Sequence, residues 1–203
     1  HKKIKLSDLN KIRLKIYNEI NNKDWISNLM YNLYKIHLDE IVGNELAIQK
    51  KVNVSIQIPR DNSSLIPMHS DFFSGESIFQ VNLWLPLVDV KKTNSMFYFT
   101  LKDSLTMLNV IKNNNKTDLN KLFIKYSKKI KWVNLKYGEA LIFSPNLLHG
   151  NIVNNEKTTR VSLNVRIKNL YSPYNKIFGN EKKIGSFYRP LNPKAVTLFN
   201  LEN

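Results

Sequence analysis

Apolar and polar positions follow two different rhythms along this chain. Leu9, Ile12, Leu14, Ile16 and Ile20 recur at mostly helical spacing, and Ser7-Asp8 ahead of them has the composition of an N-cap. Asn21-Asn22 interrupts the pattern. A second helix is expected from about Asp24 through Trp25, Leu29, Leu33, Ile36 and Ile41, with Gly43 as its stop. From about Lys51 the rhythm shortens to period two. Val52 to Ile58 alternates as a strand does, and Pro59-Arg60-Asp61-Asn62 closes it. Further strands are expected at Phe79 to Leu87, Met96 to Leu101, Ile130 to Leu135, Ala140 to Phe143 and Val161 to Ile167. Leu105 to Lys125 reads as helix or loop broken by Asn113-Asn114-Asn115. The last segment, with Pro173, Pro190 and Pro193, reads as an irregular tail lying over a barrel.

Repeated short strands joined by turns predict a mainly β protein with flanking helices, built as a sandwich or jelly-roll barrel. One domain is expected over 1–203, with N-terminal helices to about 50, a β core over about 51–170 and the tail beyond. Its 203 residues suffice for one sizeable core, and 42% apolar with 23% charged residues is ordinary for a soluble protein. Cysteine is absent, which excludes disulfides, thiolate metal ligation and a Cys nucleophile, and suits a reducing compartment. No run approaches the roughly 18 apolar residues of a membrane span, and no apolar signal region follows the basic first residues. A cytoplasmic setting is therefore expected.

The net charge of +15, from 31 basic and 16 acidic residues, admits two readings. A polyanion-binding surface would gather its lysines on one element. Here they are scattered, as at Lys2, Lys50, Lys91, Lys128 and Lys182, with no aromatic-interleaved basic stripe. No specific nucleic-acid binding is expected, while a preference for small anionic ligands stays open.

Chemistry enters with His69-Ser70-Asp71. A His and a carboxylate two residues apart project from the same side of an extended chain and reach one metal together. His149, about eighty residues later in Leu147-Leu148-His149-Gly150-Asn151, supplies a third ligand. Two His and one carboxylate form a facial set that leaves three positions of a ferrous ion open. His37, inside a helix with no matching ligand one turn away, reads as a half-buried helix residue, and His1 is set aside. In Thr159 to Arg166 the period is again two: Arg160, Ser162, Asn164 and Arg166 share the face opposite Val161, Leu163 and Val165. A wholly polar strand face in a barrel suggests a lined cavity. A buried Arg160 there needs an anion, and a carboxylate matches its planar donor fork.

The order H-x-D, distal His, then Arg-x-Ser one strand later resembles the phytanoyl-CoA dioxygenase superfamily. Pro67 to Asp71, Asn82 to Leu87, Asn94-Ser95-Met96, His149 to Asn151 and Thr159 to Arg166 are similar to oxygenases of bacterial carbohydrate clusters, the streptomycin-cluster type among them. That resemblance spans roughly Val52 to Pro190. It implies a double-stranded β-helix, a cupin-like jelly roll, with helices outside. It also implies that 2-oxoglutarate and O2 become succinate and CO2 while a substrate C–H bond is oxidised. By position, His69, Asp71 and His149 are expected to ligate Fe(II). Arg160 is expected to bind the distal carboxylate of 2-oxoglutarate with Ser162 assisting, and Asn82, Trp84 and Asn151 to line the cosubstrate pocket. Gln57, Asn164 and Arg166, with Arg60 at the mouth, are the expected substrate contacts. Their amide and guanidinium groups suit a small sugar-like or anionic substrate. Three rivals stay open: a same-fold dioxygenase acting on nucleic acid, a cupin-like sugar isomerase or epimerase using a His–Asp base, and a non-catalytic sugar-binding barrel.

Overall fold

The computed structural model describes residues 4–114, 117–175, 182–194 and Thr197. His1, Lys2 and Asn115 lie outside them. A 3-10 turn, Leu6–Asp8, leads into α1 (Leu9–Asn21). Asp8 is not the expected cap. Its backbone is already helical (φ −94°, ψ −9°), and its side chain makes no cap bond. The expected second helix is two, α2 (Trp25–Leu33) and α3 (Lys35–Val42). The break falls at Tyr34 (φ −124°, ψ 19°), whose hydroxyl donates to Gly138 O at 2.9 Å. The break thus coincides with a tertiary contact that the continuous apolar pattern does not reveal. Gly43 does end α3, at φ 109°, a backbone state that favours glycine.

The strands are β1 (Leu46–Gln49), β2 (Asn53–Gln57), β3 (Gln80–Pro86), β4 (Phe97–Tyr98), β5 (Lys131–Trp132), β6 (Leu141–Phe143), β7 (His149–Gly150), β8 (Arg160–Asn169) and β9 (Tyr188–Pro190). Two corrections to the strand pattern have clear causes. The strand expected from Met96 to Leu101 stops at Tyr98, because the Thr100 hydroxyl accepts from Asp103 N at 3.2 Å and caps α4 (Leu101–Asn113). β1 has no counterpart in the period-two reading, since all four of its residues are buried and show no alternation. α5 (Leu119–Tyr126) completes the helices, capped by Asp118.

β8 organises the molecule. It pairs antiparallel with β3 along one edge, and with β2 then β1 along the other. β6 extends the sheet beyond β3, and β9 extends it beyond β1. Part of the tail expected to be irregular is therefore an edge strand of the main sheet. A second antiparallel sheet has the order β5-β4-β7. The odd-numbered β8 residues Leu163, Val165 and Ile167 pack with Met30, Tyr31 and Leu38 of the N-terminal helices. Burying each such side chain stabilises the fold by about 2 kcal/mol. The small sheet rests on α4 and α5 through Phe97, Phe99, Met107 and Leu122. Trp84 and Phe143 of the large sheet meet Met96 and Val133 beside the small one. The even-numbered face of β8 is left to line the space between.

Candidate metal centre and its cavity

Two chain segments carrying histidines are zipped together. His69 N donates to His149 O at 2.9 Å, and His149 N donates to His69 O at 3.0 Å, an isolated antiparallel bridge. Gly150 permits this approach: a Cβ there would meet Ile66 O at 2.7 Å and Phe97 Cζ at 2.8 Å. The bridge sets the two imidazoles beside one another, with ring centroids 4.3 Å apart. Asp71 opens the 3-10 turn Asp71–Ser74, and its carboxylate comes within 3.7 Å of His69 Nε2. One donor atom from each of His69, Asp71 and His149 lies within 4.8 Å of the others. Among the described residues no other trio of His, Asp or Glu gathers in this way.

The hydrogen bonds around the trio orient its lone pairs. His69 Nδ1 lies 2.9 Å from Pro67 O, and His149 Nδ1 lies 2.8 Å from Leu147 O. A carbonyl accepts only, so each Nδ1 carries the proton and each Nε2 keeps a free lone pair for an ion. Burial pushes the His149 imidazole down to about 4, so it stands neutral and ready for a metal at ordinary pH. Asp71 is clamped from two adjacent strands. Asn82 Nδ2 donates to its Oδ2 at 2.6 Å and Arg166 Nη2 to its Oδ1 at 3.1 Å. Asn82 and Arg166 are cross-strand partners in the β3–β8 register. Burial is the largest single influence and acts to raise the Asp71 carboxyl, but the Arg166 charge, the two neighbouring imidazoles and the Arg166 hydrogen bond together outweigh it and hold the group below the usual carboxylate range.

A cavity of about 340 Å³ opens beside the trio, lined among others by His69, Asp71, His149, Trp84, Arg160, Ser162 and Asn164. Arg160 is 3% exposed and faces no carboxylate among the described residues. Its Nη1 donates to Ser95 O at 3.0 Å and its Nη2 to Ser55 Oγ at 2.9 Å, while Nε has no partner. Trp84 covers it, the ring centroid 5.9 Å from Cζ. Burial without a counter-charge pushes the guanidinium down to about 10. Ser162 Oγ and Asn164 Oδ1 are also buried without partners. Buried polar atoms in folded proteins are almost always paired, so three orphans along one strand face mark a place for a ligand. The donor set of the trio suits a ferrous ion, and a guanidinium without a counter-ion suits a carboxylate.

Not every residue expected at the site takes the expected position. Asn82 does not line the cavity; it holds Asp71 from behind. Arg166 lines the cavity, but its guanidinium is spent on Asp71, Gln49 and Glu76, so it is a brace before it is a substrate contact. Asn151 also lines it, with its amide strapping Ile66 N at 2.6 Å and Ser64 O at 3.3 Å. Gln57 has the right parity but sits at the far end of β2, donating to Ile152 O at 2.6 Å, and is absent from the cavity wall. Arg60 is likewise absent from it, in a turn at φ 61°. His37 is exposed on α3, not half buried. Sequence reasoning missed Asn53 and Ser55, which share the parity of Gln57, and Tyr17 of α1. It also missed Glu76, a lone acid in a loop with no motif around it.

No protein-family model matches the sequence, and no curated protein matches it. Solved structures do. The chain is similar to the non-heme monooxygenase ThoJ in its apo form, at 14% identity and TM-score 0.53, over 82% of this chain and 58% of that one. It is similar to SnoN, a non-heme alpha ketoglutarate dependent epimerase from nogalamycin biosynthesis, at 16% identity and TM-score 0.53, over 78% and 61%. It is similar to AviO1 from Streptomyces viridochromogenes at 15% identity and TM-score 0.54, over 76% and 66%. The chain thus spans less than two thirds of the length of ThoJ, SnoN or AviO1. These likenesses show a fold shared with non-heme oxygenases and related enzymes, and they do not single out the carbohydrate-cluster subgroup.

Proposed function

We propose that this chain is an Fe(II)- and 2-oxoglutarate-dependent oxygenase with a double-stranded β-helix core. The observation that carries the reading is a buried Arg160 with no carboxylate beside it among the described residues, and with its Nε unpartnered, in the same cavity as the His69, Asp71 and His149 donors. In this reading His69 and His149 present Nε2, and Asp71 presents the oxygen that Asn82 does not hold. Arg160 takes the distal carboxylate of 2-oxoglutarate, Ser162 donates to it, and Trp84 shields the pair from water. When bound, iron with 2-oxoglutarate and O2 supplies the oxidising power to break a substrate C–H bond. SnoN has been captured with Fe3+, alpha ketoglutarate and nogalamycin RO, and SnoK of the same pathway is a carbocyclase, so hydroxylation is one of several outcomes this fold hosts.

A small polar substrate fits what is left of the cavity. Once Arg160 and Arg166 have their partners, Tyr17, Asn53 and Asn164 offer neutral hydrogen-bonding groups, and the unpartnered Asn164 Oδ1 suits a hydroxyl donor. A sugar or glycoconjugate precursor is the class proposed. The isomerase reading is weaker, because a carboxylate held by two donors, as Asp71 is, makes a poor general base.

The test is anaerobic titration of the metal-free protein with Fe(II) and 2-oxoglutarate. A visible absorption band that needs both components is expected. Arg160→Met should weaken 2-oxoglutarate by about 100-fold, the cost of losing one partner of a desolvated charge pair, and leave Fe(II) affinity in place. Iron bound with no band, or a variant that loses iron but keeps the cosubstrate, overturns the assignment.

A further inference from the structure

Behind Asp71 stands a second buried carboxylate that the proposed chemistry does not use. Glu76 is 0% exposed. Its Oε1 lies 3.4 Å from Arg166 Nε, an ion-pair distance without hydrogen-bond geometry, and also pairs with Lys182. Its Oε2 lies 3.2 Å from the Tyr188 hydroxyl, whose single proton it shares with the closer Gln80 Oε1. Arg166 in turn reaches Asp71 Oδ1 at 3.1 Å through Nη2. Asp71, Arg166, Glu76 and Lys182 therefore form a chain of charges that alternates in sign and sums to zero.

The alternation has a physical consequence for an ion at Asp71. Arg166 alone would fix the carboxylate but offset its charge, and a cation nearby would feel little net attraction. Glu76 offsets Arg166 in turn. Asp71 then stays fixed and keeps its negative charge for the ion. Lys182 sits at the far end and moderates Glu76. Both Lys182 and Tyr188 come from the segment that carries β9, so the strand closing the sheet edge also brings the groups that hold Glu76. Burying an unused carboxylate is costly unless it is paired, which makes an idle Glu76 a poor explanation of its place.

We propose that Glu76 is a positioning residue that sets divalent-metal affinity at His69, Asp71 and His149 by neutralising Arg166. The proposal rests on the metal-centre reading above. A merely structural role predicts that losing any member of the chain loosens Asp71 and lowers affinity. The electrostatic role predicts opposite signs for the loss of an anion and the loss of a cation.

The experiment measures Ni(II) affinity by competition with a chromophoric chelator, without 2-oxoglutarate, in the wild type, Glu76→Gln, Lys182→Met and His149→Ala. Glu76→Gln should lower Ni(II) affinity by about tenfold, the scale of one charge at an effective dielectric of about 20. Lys182→Met, farther along the chain, should raise it by about threefold. With Co(II) in place of Ni(II), the visible bands should keep their positions in both variants, because all three ligands remain. Lowered affinity in both variants, or unchanged affinity in Glu76→Gln, overturns the proposal. If Glu76→Gln does not fold, Lys182→Met decides alone: a rise supports the proposal, and no change or a fall overturns it. Wild-type protein that binds no Ni(II), or a His149→Ala variant that binds it equally well, overturns the metal centre itself.

Discussion

Two arginines share one face of β8, six residues apart, and their surroundings could hardly differ more. Arg166 meets Asp71 at 3.1 Å and Glu76 at 3.4 Å, and Gln49 Oε1 accepts from its Nη1 at 3.3 Å. Arg160, about 20 Å along the strand from it, is buried more deeply yet meets only neutral oxygens of Ser95 and Ser55. Burial lowers the Arg160 guanidinium to about 10 because no anion offsets it. A cation matched by carboxylates is part of the framework, and here it holds Asp71 in place. A cation left unmatched in a cavity is a cost the folded chain carries until an anion arrives. Residue type and strand parity are the same at both positions, so the difference in role comes from partners supplied by distant segments.

The sharpest way to break the comparison is to make the same substitution at both arginines and measure the metal-free protein. Arg166→Met leaves Asp71 with Asn82 as its remaining side-chain hydrogen-bond donor beside the imidazoles, and deprives Glu76 of one of its cations. Removing one member of a buried pair costs about 3–5 kcal/mol, and a loss of about 3 kcal/mol in urea unfolding is expected. If Arg166→Met and Arg160→Met cost the same, the distinction between brace and binder fails.

A second substitution sharpens the Arg166 end alone. Asn82→Ala removes the 2.6 Å bond to Asp71 Oδ2 while leaving all three donors present. Groups that orient metal ligands are worth about 10- to 100-fold in affinity, so Ni(II) binding should fall about tenfold. At saturating metal the 2-oxoglutarate affinity should hold. A selective loss of 2-oxoglutarate instead would return Asn82 to the cosubstrate pocket.

How much of this was legible in the sequence differs between the two ends for the same reason. His149, about eighty residues beyond His69, was joined to it only by its place after a strand and by the order of motifs. The His69/Asp71 pair and the polar parity of β8, by contrast, are local features: a two-residue spacing and a period-two strand suffice to propose them. So are the strands Asn53–Gln57 and Gln80–Pro86, which alternate or run apolar between turn residues. Arg166 and Asn82 were visible as polar residues on the right faces, but their acceptor, Asp71, lies on another segment. No spacing rule carries that contact. Glu76 gave no signal at all, since its partners Arg166, Lys182 and Tyr188 are 90 to 112 residues away in sequence. The break at Tyr34 and the edge strand β9 escaped for the same reason, the first coinciding with a distant contact to Gly138 and the second pairing with β1.

The smallest expected effect is also the most diagnostic in sign. Arg160→Met replaces an unpaired buried cation with an apolar side chain of similar reach, beside Trp84 and Met96. It loses two hydrogen bonds, to Ser95 O and Ser55 Oγ, worth about 1 kcal/mol each. It gains relief from desolvating a full charge, which is larger for a group without a counter-ion. Metal-free Arg160→Met should therefore be more stable than wild type by about 1 kcal/mol. Adding Ni(II) and 2-oxoglutarate together should stabilise the wild type further, by linkage to a ligand that binds only the folded state. The variant should respond to Ni(II) alone and gain nothing more from 2-oxoglutarate. A clear loss of stability in the metal-free variant would mean that Arg160 is framework like Arg166, and the two ends of β8 would no longer be distinct.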